Sequence, residues 1–304
     1  MMQTLWVFPG QGSQQAGLLA TVNPAILARV TALTGVTLSD TTVGYQDPVQ
    51  IQLSILSRQL DQLAQCQQLG WQPQAVAGHS LGVFAAAVAA GSLTVDTAIQ
   101  LVATRAQAMR SAYPTGYGMG VVVGLTRTEL APLVASVHTE ATPVYLSNQN
   151  TPLQTTLSGA LPAIQQVLTL ALAQGAQHAK LLHVPSPSHS PLMAAVAQQL
   201  TARLADCDVQ RPRCSYLANW NGRRTLTADG VRYDLANNLR YPVYWATMMA
   251  VAEELGTQVA MEFAPGTVFT KLSQAQQPNV RTIALAQQSI DDADFLLTKW
   301  KEVL

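Results

Sequence analysis

Charged side chains are scarce in this sequence. Asp, Glu, Lys and Arg together make up 11% of its residues, against roughly 25% in an average soluble domain. Gln, Ser, Thr and Asn take their place. Acids and bases balance at 17 each, and no basic cluster occurs along the chain. A dedicated nucleic-acid binder carries a basic excess or stripe, so that class is excluded. Cysteine is nearly absent as well. Cys66, Cys207 and Cys214 form neither a Cys-x-x-Cys pair nor a metal-ligand spacing, which points to three reduced thiols and no bound metal. Long apolar runs are missing too. The most apolar stretch, residues 83–90, is mostly Ala and far too short to cross a bilayer, so no membrane association is expected. The first ten residues hold neither a basic segment nor a long apolar one. No signal peptide is expected there, and the cytoplasm is the expected compartment.

What is present is apolar bulk: 48% of 304 residues, enough for one large α/β domain or a large domain carrying a small one. Residues 5–8 read as a short buried strand that stops at Pro9-Gly10. Leu53, Leu56, Leu60 and Leu63 recur at three and four residues and predict a helix over 50–69. A second strand is predicted at 75–77, then an Ala-rich helix from Val83 to about Gly91, then a helix from an N-cap at Thr94 through Met109. Between residues 118 and 184 the rhythm changes. A strand at 119–125, a helix at 128–137, strands at 144–146 and 155–157, a helix at 161–173 and a strand at 179–184 give the order βαββαβ. That order predicts a small ferredoxin-like unit. Pro114, Gly116 and Gly118 precede it, and Pro185 and Pro187 follow. Further on, a helix at about 191–205, strands near 216–218, 258–263 and 280–285 and a closing helix are expected. The expected class is α/β, with a parallel-sheet core from residues 1–115 and 188–304 and an inserted subdomain at 116–187.

Gly78-His79-Ser80-Leu81-Gly82 fits Gly-x-Ser-x-Gly, with a strand before it and a helix after. In that context the glycines permit a sharp turn that exposes the serine, and the N–H of Leu81 lies at a helix N-terminus, facing any developing oxyanion. The alternative is a tight turn around a buried serine. A serine nucleophile needs a base. Of five histidines, His79 is adjacent in sequence, so its ring is expected to point away from Ser80; His138 follows a helix and reads as solvent-exposed. His178 and His183 belong to the last strand of the insert. His189 stands in the Pro-stiffened loop 185–191, where insert and core rejoin, and is the choice of base.

Ala98, Leu101, Val102, Arg105 and Met109 share one helical stripe, so Arg105 interrupts an apolar face on which no acidic residue stands. Two solutions are open. The guanidinium meets a carboxylate brought by a substrate, or its head snorkels to water.

Phe8-Pro9-Gly10-Gln11-Gly12-Ser13-Gln14, Gly78-His79-Ser80-Leu81-Gly82, Arg105 and Ser188-His189, in that order, resemble the malonyl-CoA:acyl carrier protein transacylase family over nearly the whole chain. The resemblance implies an α/β-hydrolase-like core with a ferredoxin-like insert. It implies Ser80 as nucleophile, His189 as base, and the backbone N–H groups of Gln11 and Leu81 as the oxyanion hole. It makes Arg105 the grip on a malonyl carboxylate, places Gln50 and Asn148 at the acyl pocket, and gives the carbonyl of Asn238 the task of orienting His189. No bound cofactor and no metal are implied. The substrates would be malonyl-CoA and a phosphopantetheine-type thiol on an acyl carrier protein. The chain departs from the fatty-acid-synthesis members in a shorter stretch between Gln14 and Gly78 and in Val83, where those members usually carry Glu. Residues 82–86 and 148–152 look more like the epsilon subunit of malonate decarboxylase, whose other subunits would then be partners. The implied reaction is a ping-pong transfer through a malonyl ester on Ser80. The competing class, a serine thioesterase or esterase, usually adds an acid after a late strand; Glu262 occupies such a strand but follows His189, the wrong chain order.

Overall fold

The computed structural model describes residues 2–113 and 115–302; Pro114, expected at the entry to the insert, lies outside them. The chain opens with β1 (Thr4–Phe8), α1 (Pro24–Thr34), α2 (Pro48–Gln68), β2 (Ala75–Gly78), α3 (Gly82–Ala89) and α4 (Val95–Ala112). Next come β3 (Tyr117–Val123), α5 (Arg127–Val137), β4 (Val144–Thr151), β5 (Gln154–Ala160), α6 (Leu161–Ala173) and β6 (His178–Leu182). It continues through α7 (Ala194–Ala205), β7 (Ser215–Leu217), β8 (Arg224–Thr225), α8 (Ala228–Asn237) and α9 (Trp245–Glu254). The final elements are β9 (Val259–Glu262), α10 (Val268–Gln276), β10 (Arg281–Ala284) and α11 (Ile290–Lys301).

Two sheets organise these elements. The first has the order β10-β9-β1-β2-β7-β8. Its first five strands pair in parallel, and the two-residue β8 closes one edge antiparallel. The uninterrupted apolar run of β1 has a direct cause: both faces are covered. Trp6 and Phe8 pack in one core with residues of α2, α3 and α4, while Leu5 and Val7 pack in another with residues of α9 and α10. The second sheet is wholly antiparallel, in the order β4-β5-β3-β6. Val122, Leu157, Ile164, Leu168, Leu130 and Val134 join it to α5 and α6 in a core of their own.

Differences from the sequence expectation fall where polar residues carry regular structure. β4 runs on from Leu146 through Ser147, Asn148, Gln149 and Asn150, pairing with β5 across register shifts. Apolar alternation had already ended, so no strand is expected there from pattern alone. Helices α1 and α8 also escape the pattern: α1 buries only Val30 fully, and α8 mixes Asp, Arg, Tyr and Asn with three buried aliphatics, Val231, Leu235 and Ala236. His138, expected in solvent, is half-buried, with Nδ1 2.9 Å from the carbonyl oxygen of Val144.

Candidate active site

The site lies at the C-terminal ends of the central parallel strands, the usual crevice of such sheets. β2 runs into Ser80, whose φ of 55° is left-handed, an uncommon conformation for a residue with a Cβ. The second glycine of the motif serves strand contact as much as turning. A Cβ on Gly82 would sit 1.8 Å from the carbonyl oxygen of Phe8, at the end of β1. The loop after β1 is equally close: a Cβ on Gly10 would lie 2.8 Å from the carbonyl oxygen of His79. That loop is held by α2, whose buried Gln59 donates from Nε2 to the carbonyls of Pro9 (2.8 Å) and Ala264 (3.1 Å). Among the described residues, the backbone N–H groups of Gln11 and Leu81 donate to no protein acceptor, and Leu81 is the N-cap of α3.

His189 Nε2 stands 2.8 Å from Ser80 Oγ. Its Nδ1 faces two carbonyl oxygens, of Asn238 at 2.7 Å and Tyr241 at 3.3 Å. Carbonyls only accept, so Nδ1 carries the proton and Nε2 offers its lone pair to the serine. The imidazole is 2% exposed. Desolvation, then the charges of His79 and Arg105, push its pKa down to about 3. His189 is itself left-handed, φ 62°. Such a conformation costs roughly 1–3 kcal/mol and persists only where the surroundings over-determine it. Here they do: Ser158 Oγ and Ser147 Oγ donate to the carbonyl of Ser188 at 2.7 and 3.2 Å, and Ser190 Oγ donates to that of Pro187 at 2.6 Å.

Arg105 is 1% exposed, which removes the snorkelling alternative. Its Nη2 donates to Ser80 Oγ at 2.9 Å and its Nη1 to Gln52 Oε1 at 2.5 Å, while Nε is buried without a partner. Among the described residues no carboxylate pairs with it; Asp96 is taken by Arg29 on the surface. Desolvation pushes its pKa down to about 9. The expectation for Gln50 is corrected. Gln50 points outward, its Nε2 donating to the carbonyl of Thr37 at 3.1 Å and its Oε1 accepting from the N–H of Ser39 at 2.8 Å. The glutamine at the arginine is Gln52. Two residues along a helix turn a side chain by about 200°, so both cannot face one site. Gln52 shares the buried face of α2 with Leu56 and Gln59, a spacing that could have singled it out.

A cavity of about 230 Å³ joins these groups, lined by Gln11, Ser80, Arg105, Met109, Asn148 and His189 among others. Asn148 lines it with its amide already engaged, Oδ1 accepting from the N–H of Val243 at 3.2 Å. His79 also lines it but turns its Nε2 to Asn150 Oδ1, 3.2 Å away, rather than to the serine. His178 and His183 are exposed. Glu262 accepts from the N–H groups of Phe269 and Thr270 at 3.2 and 2.6 Å, capping the start of α10, and makes no contact with His189. His189 is therefore oriented by backbone carbonyls, not by an acid. Among the described residues no metal-sized cluster of His, Cys, Asp or Glu exists, and no helix is long and apolar enough to cross a membrane.

Relatives carry the same architecture. The malonyl CoA-acyl carrier protein transacylase of Escherichia coli strain K12 is 30% identical over 304 residues, covering 95% of this chain and 97% of its own. The crystal structure of FabD from Acinetobacter baumannii superimposes with a TM-score of 0.91 at 29% identity, covering 100% of this chain and 99% of its own. A malonyl-transacylase in complex with its type II PKS acyl-carrier protein, PlMCAT:AntF, gives a TM-score of 0.87 at 29% identity over 94% of this chain and 97% of its own. The acyl transferase domain family matches residues 5–299. A serine on a strained corner, a carbonyl-oriented histidine and a match over almost the full length agree: the chain belongs to the acyl transferase domain family and is an acyltransferase.

Proposed function

We propose that this protein is a malonyl-CoA:acyl carrier protein S-malonyltransferase that works through a malonyl ester on Ser80. One observation carries the choice of acyl group. A buried guanidinium without a protein carboxylate reaches the nucleophile itself, at 2.9 Å. An acyl chain ending in a carboxylate would supply the missing counter-charge. In the first half-reaction His189 Nε2 takes the Ser80 proton as Oγ attacks the thioester carbonyl. The oxyanion is received by the N–H groups of Gln11 and Leu81. The C–S bond then breaks, and His189 returns the proton to the leaving CoA thiolate. In the second half-reaction the thiol of a phosphopantetheine-type carrier attacks the ester, with His189 as base again, and Ser80 regains its proton. Asn148 shapes the acyl pocket and Asn238 holds the base. Residues 1–115 and 188–304 form the α/β-hydrolase-like catalytic core in this reading, and residues 116–187 a ferredoxin-like subdomain over it. Three unpaired cysteines agree with a cytoplasmic site of action.

Within this class we favour the epsilon subunit of malonate decarboxylase, supported by residues 82–86 and 148–152. Neighbouring genes for a biotin-independent decarboxylase and a dedicated carrier would support that context; fatty-acid synthesis genes would overturn it. Mixing with malonyl-CoA should add one malonyl group to Ser80 by mass spectrometry, and adding holo-carrier should discharge it onto the carrier. Release of free malonate as the main product would instead make the protein a thioesterase.

The pH dependence follows from the buried base. His189 has a folded pKa near 3 against about 6.5 when exposed. It therefore stays neutral and active as pH falls through 6.5. kcat/KM for malonyl transfer should show no inflection near 6.5; one there would mean a solvated base. In the substrate complex the malonyl carboxylate neutralises Arg105, removing one influence that depresses His189, so the acid limb of kcat should lie above that of kcat/KM. Stability moves oppositely. His189 and His79, the latter pushed down to about 4, bind fewer protons folded than unfolded below pH 6.5. Stability should fall as pH drops from there toward those values.

A further inference from the structure

We propose that Asn219, just beyond β7, and Asp234, on α8, are positioning residues for the Ser80–His189 pair. Asn219 is wholly buried, two residues beyond the end of β7. Its Oδ1 accepts from the backbone N–H of Ser80 at 2.9 Å, and its Nδ2 donates to the carbonyl of Gly78 at 2.6 Å. The amide thus clamps both sides of the corner on which Ser80 holds its left-handed conformation. A carboxamide offers an acceptor and a donor from one planar group. The clamp also decides which N–H groups remain for an oxyanion. That of Ser80 is consumed, and that of Leu81 is left free.

Asn219 is itself held by Asp234, a fully buried carboxylate on α8. Asp234 Oδ1 accepts from the backbone N–H groups of Asn219 at 2.8 Å and Trp220 at 3.3 Å, and Oδ2 accepts from the hydroxyl of Tyr216 at 2.9 Å. The main-chain carbonyl of Asp234 faces the other way. It accepts from the backbone N–H of Asn238 at 2.9 Å and from Asn238 Nδ2 at 3.1 Å. Asn238 in turn presents its carbonyl to His189 Nδ1 at 2.7 Å. One residue therefore reaches the nucleophile through its side chain and the base through its backbone. Neither Asn219 nor Asp234 lines the cavity around Ser80, so both act through other groups.

The kinetic part of the test rests on the malonyl-transfer reading; the labelling part does not. The variants are Asn219→Asp, which keeps the acceptor for Ser80 and, when ionised, loses the donor to Gly78 and is therefore assayed above about pH 8, Asn219→Leu, Asp234→Leu and Asp234→Asn. Each is assayed for the rate at which phenylmethylsulfonyl fluoride modifies Ser80, for kcat and KM with malonyl-CoA, and for its melting transition. Asn219→Asp, Asn219→Leu and Asp234→Leu should slow both sulfonylation and kcat by about 10–100-fold, the usual effect of misplacing a reacting group by about 1 Å. KM should stay within about twofold, because Arg105 and Gln52 are untouched. Asp234→Asn keeps an oxygen for the two N–H groups and should recover most of the rate. Folded Asn219→Asp or Asn219→Leu with wild-type sulfonylation would overturn the proposal, as would a rise in KM at unchanged kcat. If Leu variants fail to fold, Asn219→Asp against Asp234→Asn decides alone. Slowed sulfonylation in a protein that never transfers malonyl would refute the transfer reading and leave this one standing.

Discussion

Arg105→Ala should lower malonyl transfer by about 10²–10³-fold and leave acetyl transfer at or above its original rate. Breaking a buried charge pair by removing one partner costs roughly 3–5 kcal/mol, and each 1.4 kcal/mol is a factor of ten. The malonyl carboxylate would enter the cavity and find no cation there. An acetyl group brings no charge and needs none. Steady-state rates with malonyl-CoA and acetyl-CoA measure the ratio directly. Retention of the malonyl preference would mean that Arg105 serves Ser80 alone, through its 2.9 Å contact. Stability should respond in the opposite sense. The guanidinium is desolvated, lacks a protein carboxylate, and leaves Nε unpaired. Arg105→Met, similar in length and apolar, should therefore keep or raise Tm while abolishing the preference, the usual exchange of stability for function at such sites. A marked fall in Tm would show that Arg105 is needed for folding.

Ser80→Ala should abolish transfer, by about 10⁴-fold or more, and remove the malonyl adduct altogether. His189→Ala should cost nearly as much. The double variant should be no worse than either, because the two act as one unit. The adduct is read by intact-mass spectrometry and the rate by carrier loading. Additive losses would mean that Ser80 retains a second base. His79 is the nearest alternative imidazole, with its ring centroid 6.4 Å from that of His189, but its Nε2 is turned to Asn150. Both single variants should fold, since each removes a polar group and leaves the surrounding apolar packing in place.

How far the site could be read in advance depends on the range of each interaction. The elbow is a local matter: five consecutive residues carry the turn, Ser80 and the start of α3. His189 was reachable because proline flanks it, although its left-handed backbone was not. The failure at Gln50 has a simple cause. Motif position marks the right helix turn, but the facing residue depends on how α2 rotates against α4, and that rotation brings Gln52 to Arg105. Asn219 gave no signal at all. It stands 139 positions from Ser80, in a segment whose pattern reads only as strand and turn.

Chain order and local chemistry were written along the polymer. Period-two and period-three-to-four spacing of apolar groups dictates most strands and helices, and glycine at 78 and 82 permits the corner. Which polar groups meet was decided in space. Parallel strands bring β1, β2, β7 and β9 side by side from distant parts of the chain, and most buried donors there find an acceptor. The pairings of Ser80 with Asn219, of Arg105 with Gln52 and of His189 with two carbonyls satisfy that demand. Desolvation follows from the same packing, and it is the largest influence lowering the pKa of both His189 and Arg105.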